Sequence, residues 1–172
     1  MFSATRILDF SSGWGDRLFG ALSSQDKLSV YYGIDPNSLL FPGYEKKIIT
    51  RFAKNPSKFK MINAAFESLT LPFDAKNFDL IFTSPPYFDY EIYGTGINQS
   101  SPRFEDWIVK FLFRSLSKAW KLLQIDGIMA INIQEIKGRI KLYTLKRWYY
   151  GQYHTSKTAR TMVLYHSLEQ LC

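Results

Sequence analysis

Apolar positions along the chain follow two rhythms. Short, nearly unbroken apolar blocks alternate with longer stretches in which apolar residues recur every three or four positions. The blocks predict strands at Arg6–Phe10, Val30–Ile34, Lys60–Asn63, Phe78–Phe82 and Ile128–Ile133. Phe78–Phe82 is apolar enough to be buried on both faces of a sheet. The longer period predicts helices over Asp16–Leu22, Ser38–Phe52 and Phe104–Leu123. Pro42-Gly43 interrupts the start of the second. The third is the most regular, with Trp107, Ile108, Phe111, Leu112, Leu116, Ala119, Trp120 and Leu123 on one face and an end expected near Gly127. Trp148–Tyr153 and Thr161–Tyr165 read as a closing pair of strands.

Strand–helix alternation means an α/β fold with a mainly parallel sheet. Such sheets bind ligands beyond the carboxyl ends of their strands. That edge should collect the Asp9–Gly15 loop, Asp35, the segment after Asn63, and Thr83–Tyr87.

The 172 residues suggest one domain spanning 1–172, and the hydrophobic content of 46% is enough for a real core. The formal charge of +7 points to a polyanionic partner, nucleic acid before any other. A single cysteine, Cys172, excludes an internal disulfide framework and suggests a reducing, intracellular compartment, cytoplasmic or with DNA. With only His154 and His166, no zinc site is expected. No apolar run reaches the roughly 18 residues that span a bilayer, so no membrane partner is expected.

Asp9-Phe-Ser-Ser-Gly-Trp-Gly15 has glycines where positive φ and close backbone approach are needed. Its spacing is neither the dinucleotide fingerprint nor a P-loop. A plain strand-to-helix turn would look similar. Asp35, after the second strand, suits both hydroxyls of a ribose; Asp35-Pro-Asn-Ser38 is equally good helix-cap sequence. Phe66 is placed either to stack on an adenine or to fill the core. Asp74 reads as turn chemistry.

In Ser84-Pro85-Pro86-Tyr87 the prolines fix φ and remove N–H donors. The Ser84 hydroxyl and the Ser84 or Pro85 carbonyl are then fixed acceptors for the two hydrogens of an exocyclic amine. Tyr87 would stack on the ring that carries it. Two prolines also simply end strands. The residues between 137 and 160 interleave seven Lys or Arg with Tyr143, Trp148, Tyr149, Tyr150 and Tyr153. That mixture suits a phosphate backbone and unstacked bases, or a solvated face over buried rings. The glycine-containing segment from Phe88 to Ser101 reads as a loop beside the site.

In combination these motifs resemble the class I S-adenosylmethionine-dependent DNA amino-methyltransferases, over about residues 5 to 166. Asp9–Gly15 resembles the family's first motif, Asp35 its acidic residue after strand two, and Ser84-Pro85-Pro86-Tyr87 its Asp/Asn/Ser-Pro-Pro-Tyr signature. The resemblance implies a Rossmann-like, three-layer α/β/α domain with a mostly parallel sheet and an antiparallel closing strand. It implies S-adenosylmethionine as cofactor, held by Asp9, Phe10, Ser11, Gly13, Gly15, Asp35, Phe66 and Ser84. Ser84, Pro85, Pro86 and Tyr87 would act on the target amine. The Ser form of the signature leans toward cytosine N4; adenine N6, in DNA or RNA, is the alternative, as is a non-catalytic nucleic-acid-binding subunit. DNA is expected before RNA. The family's segment upstream of the first motif and its target-recognition domain find no counterpart here, so recognition is expected from a homodimer or a partner subunit. Only 137–146 lie between strand five and the next strand, too few for a full helix.

Overall fold

The computed structural model describes residues 4–72, 74–86, 103–133 and 160–165. Tyr87, the loop from Phe88 to Ser101, the strand expected at Trp148–Tyr153 and all of the basic aromatic tract except Arg160 lie outside the described residues.

Among the described residues, six strands form one sheet: β1 (Arg6–Asp9), β2 (Val30–Asp35), β3 (Phe59–Asn63), β4 (Phe78–Thr83), β5 (Leu123–Asn132) and β6 (Thr161–Tyr165). Their order is β3-β2-β1-β4-β5-β6, and every neighbouring pair is parallel. The architecture is α/β and consistent with a Rossmann-like fold. The expected antiparallel closing strand is not what the sheet shows, since β6 pairs parallel with β5, Ile128 opposite Thr161 and Asn132 opposite Tyr165. An antiparallel hairpin needs only a tight turn, whereas parallel neighbours need a crossover of about a dozen residues or more. The stretch between Asn132 and Thr161 is long enough for that crossover.

Among the described residues, three longer helical stretches cover the sheet: α1 (Asp16–Ser23), α2 (residues 38–52) and α3 (residues 104–122). Asp16 in the first turn of α1 suits the positive end of the helix dipole. The middle of α2, Gly43–Ile49, has the wider i→i+5 turn. Thr50 follows that geometry, since its N–H and its hydroxyl both donate to the Glu45 carbonyl. In α3 the wide segment is Trp107–Phe113.

Side-chain alternation along the strands sorts the helices into two layers. Leu18 and Leu22 of α1, with Tyr44, Ile48 and Ile49 of α2, pack on Tyr31 and Phe59 on one face. Trp107, Leu112, Leu116 and Trp120 of α3 pack on Leu8, Ile34, Ile81, Met129 and Ile131 on the other. Helices on both faces explain why β2 is buried at all six positions.

Helix α3 stops at Leu122, and Leu123 already lies in β5. Gly127 is not the helix end expected from sequence. It belongs to an irregularity in β5, where 124–127 stand against Asp79 alone between the pairs Phe78–Leu123 and Leu80–Ile128. Asp126 takes φ 63° there, and a side chain at Gly127 would strike Leu123.

The chain runs outward from β1 through β2 to β3, then returns to place β4 on the other side of β1. Beyond the carboxyl ends of β1 and β4 lies the sheet's topological switch point, the usual crevice for ligands in open α/β sheets. Among the described residues, no helix is long and apolar enough to cross a membrane.

Candidate functional site

The glycine loop leaves β1 and enters α1. Gly13 has φ 58° and Gly15 φ 100°, both in the left-handed region. At Gly15 a Cβ would also stand 2.9 Å from Cδ1 of Ile48, so the loop lies close against α2. Hydrogen bonds fix its path. Ser12 N–H donates to the Ile34 carbonyl at 3.1 Å, and the Ser12 hydroxyl to the Asp9 carbonyl at 3.3 Å. Tyr44 donates its hydroxyl to the Gly13 carbonyl.

Asp35 completes the clasp. Its Oδ2 accepts Gly13 N–H and its Oδ1 accepts Asn37 N–H, each at 2.9 Å. A carboxylate offers about four acceptor positions, so two remain for a ligand. The short helical turn Ser38–Leu40 is capped by Asn37, whose side chain accepts Leu39 N–H. Asp35 is therefore not that turn's side-chain cap. Burial raises its pKa, and the two N–H bonds pull against that rise.

Asp9 is brought to the same edge, but three donors already meet its carboxylate. Arg17 Nε donates at 2.7 Å, the Tyr31 hydroxyl at 3.0 Å and Ser11 N–H at 3.3 Å. Asp9 is 1% exposed, and burial pushes its pKa up against the pull of Arg17. Arg17 was not singled out from sequence. It stands in the first turn of α1, where the helix dipole disfavours a cation, and only the acid eight residues earlier in the chain hinted at a partner. Its Nη2 also donates to the Ser11 carbonyl, and its Cζ lies 5.6 Å from the ring centre of Phe82 in β4.

The aromatic expectation fares differently. Phe66 is 2% exposed and stacks on Phe10, with centroids 4.7 Å apart and planes 16° from parallel. The ammonium of Lys118 lies 4.4 Å from the Phe66 ring centre and donates to the Phe66 and Leu69 carbonyls. With Phe10 and Lys118 against it, Phe66 is a packing residue, and so is Phe10. Lys118 also escaped the sequence reading, because it lies 52 positions from the Phe66 carbonyl it holds.

Phe82 sits opposite Asp9 across the β1–β4 pair, and Asp9 sits opposite Gly33 across β1–β2. Ser84-Pro85-Pro86 thus begins two residues past the level of Asp9, on the neighbouring strand. Pro85 is buried, while Ser84 and Pro86 are half-buried. The glycine loop, Asp35 and Ser84–Pro86 are brought to one edge; Phe66 turns into the core.

No protein-family model matches the chain, and no curated protein is significantly similar to it. What the site can do rests on its own residues. It offers a fixed backbone loop, a half-used carboxylate at Asp35, a guanidinium held by Asp9, and a proline-fixed strand end on the far side of the switch point.

Proposed function

We propose that this protein is a methyltransferase that moves the methyl of S-adenosylmethionine to an exocyclic base amine, cytosine N4 in DNA in the first instance. One observation carries the reading. The glycine loop after β1 and Ser84-Pro85-Pro86 after β4 stand on adjacent parallel strands, on the two sides of the switch point. A cofactor held on one side and an amine held on the other would then meet between them.

The residues fit the cofactor in part. Asp35 has acceptor positions left for the two ribose hydroxyls, and Gly13, where a Cβ would meet only the Ser11 carbonyl at 4.0 Å, leaves room for close approach. Phe66 does not offer a face to the adenine. When bound, S-adenosylmethionine would supply an electrophilic methyl, the methyl–sulfur bond breaking with its electron pair left on sulfur as the neutral thioether of S-adenosylhomocysteine. The protein's part is positional. Ser84 and the Ser84 or Pro85 carbonyl accept the two amine hydrogens and turn the nitrogen lone pair toward the methyl. No strong base is required, because the amine proton becomes acidic as the nitrogen gains its fourth bond and can pass to water. Fixed dipoles and a short approach supply the acceleration. The target base must be flipped or single-stranded to enter.

The test is incubation with labelled S-adenosylmethionine and unmodified DNA or RNA, then digestion to nucleosides and identification by mass. Label on the cytosine amine supports the reading, and label on adenine moves it to the N6 amine. No label on either nucleic acid rejects the enzyme. A second reading, a non-catalytic methyltransferase-like subunit that binds nucleic acid, draws on the packed Phe66 and the occupied Asp9. Calorimetric titration separates the two, since that subunit would give no heat with S-adenosylmethionine.

A further inference from the structure

We propose that Arg17 receives the carboxylate of the cofactor's amino-acid end, so that the site reads that end through its anion rather than through its ammonium. The inference rests on the S-adenosylmethionine reading above and assigns a residue which that reading did not include. An ammonium at Asp9 would have to displace partners already in place, for Arg17, Tyr31 and Ser11 all donate to a carboxylate only 1% exposed. Arg17 itself is more open, with 26% of its side chain exposed. A guanidinium carries five N–H donors. The bonds to Asp9 and to the Ser11 carbonyl engage Nε and Nη2, which leaves donors on both terminal nitrogens for a bidentate carboxylate.

The position is also the right one. Asp9, at the end of β1, holds the guanidinium, and Phe82 of β4 lies beneath it. The cation therefore bridges the two strands that flank the switch point. It stands beside the glycine loop and two residues short of Ser84. A ligand whose ribose is at Asp35, at the end of β2, and whose sulfonium faces Ser84 would carry its amino-acid end past β1. Asp9 is then the residue that positions Arg17 rather than a ligand group of its own.

Two ligands decide the matter: S-adenosylhomocysteine, and its decarboxylated analogue, which keeps the amine. Their affinities are measured by calorimetry on the whole chain, for the wild type and Arg17→Gln. The wild type is expected to prefer the carboxylate-bearing ligand by about tenfold to a hundredfold, and Arg17→Gln is expected to bind both alike. Removing Arg17 alone strands a buried Asp9, so the double variant Asp9→Asn/Arg17→Gln, which removes both charges, is measured beside it. Equal affinity of the wild type for the two ligands would overturn the role of Arg17 and leave the cofactor reading standing. A preference that survives in both variants would overturn it too. Binding of neither ligand to folded wild-type protein would reject the cofactor reading itself, and this inference with it.

Discussion

In the proposed reaction a neutral base amine gives up its proton only as its nitrogen gains a fourth bond, so acceptors at Ser84 and Pro85 would act through their direction more than their basicity. Replacing Ser84 by Ala removes one acceptor and leaves the glycine loop and Asp35 untouched. We expect turnover to fall by about a hundredfold or more, the cost typical of a lost oriented hydrogen bond in a transition state. S-adenosylhomocysteine affinity should change by less than about threefold, far below the cost of losing a charged hydrogen bond. Single-turnover rates and calorimetry check this, and equal losses in both would refute the division of labour. Asp35 makes a different prediction. Burial raises its pKa above the ordinary 3.8. Its contribution to folding stability is therefore complete below that value and is lost as pH rises through the raised one. An ionised carboxylate accepts from hydroxyls more strongly than its neutral acid, so under the proposed reading adenosyl-ligand affinity runs the other way and increases through the same window. Asp35→Asn cannot ionise and should remove the Asp35 share from both profiles. Thermal melts and titrations of the two proteins between about pH 4 and pH 8 measure this, and the difference between them isolates Asp35 from Asp9, whose pKa is shifted in the same direction. A wild-type affinity that fails to fall on acidification would contradict the assignment.

Among the elements, α3 puts the heaviest apolar load on the sheet. Leu116 is 0% exposed and lies in the same cluster as Leu8, Ile81 and Met129. Leu116→Ala should cost about 2–5 kcal/mol in urea unfolding, the transfer loss plus an unfilled cavity. A cost under about 1 kcal/mol would mean that the layer collapses around the gap. This helix was legible because seven apolar positions from Trp107 to Trp120 repeat at helical spacing, while the eighth expected position, Leu123, opens β5. The strands were legible as apolar blocks, and the parallel pairing of β1 to β5 followed from strand–helix alternation, whereas the parallel pairing of β6 did not. The turn at Gly127 misled, because glycine ends helices and also permits irregular strands. Only the pairing with β4 distinguishes the two. The placing of the glycine loop, Asp35 and Ser84–Pro86 at one edge could be read because each stands at the carboxyl end of a parallel strand. The bond from Arg17 to Asp9 and the covering of Phe66 by Phe10 and Lys118 could not, because they depend on which side chains meet after folding.

For the molecule as a whole, charge and topology point the same way. A formal +7 over 172 residues produces an attractive field for phosphates, while the switch point between β1 and β4 is where the proposed reaction would place one base. The field is indifferent to sequence and sensitive to salt; the crevice is sensitive to whether the base is already free. Binding to a labelled oligonucleotide, followed by fluorescence anisotropy, should weaken linearly on logarithmic axes as salt rises from about 50 to about 200 mM, with a slope set by the number of phosphates neutralised. At fixed salt, a single strand or a duplex with a mismatched target should bind more tightly than a matched duplex by about tenfold or more, since the matched base costs a few kcal/mol to unstack. Salt-independent affinity would remove the polyanion from the account. A salt-dependent affinity equal for matched and mismatched duplexes would keep the field and remove the flipped base, leaving a protein that holds nucleic acid by its backbone alone.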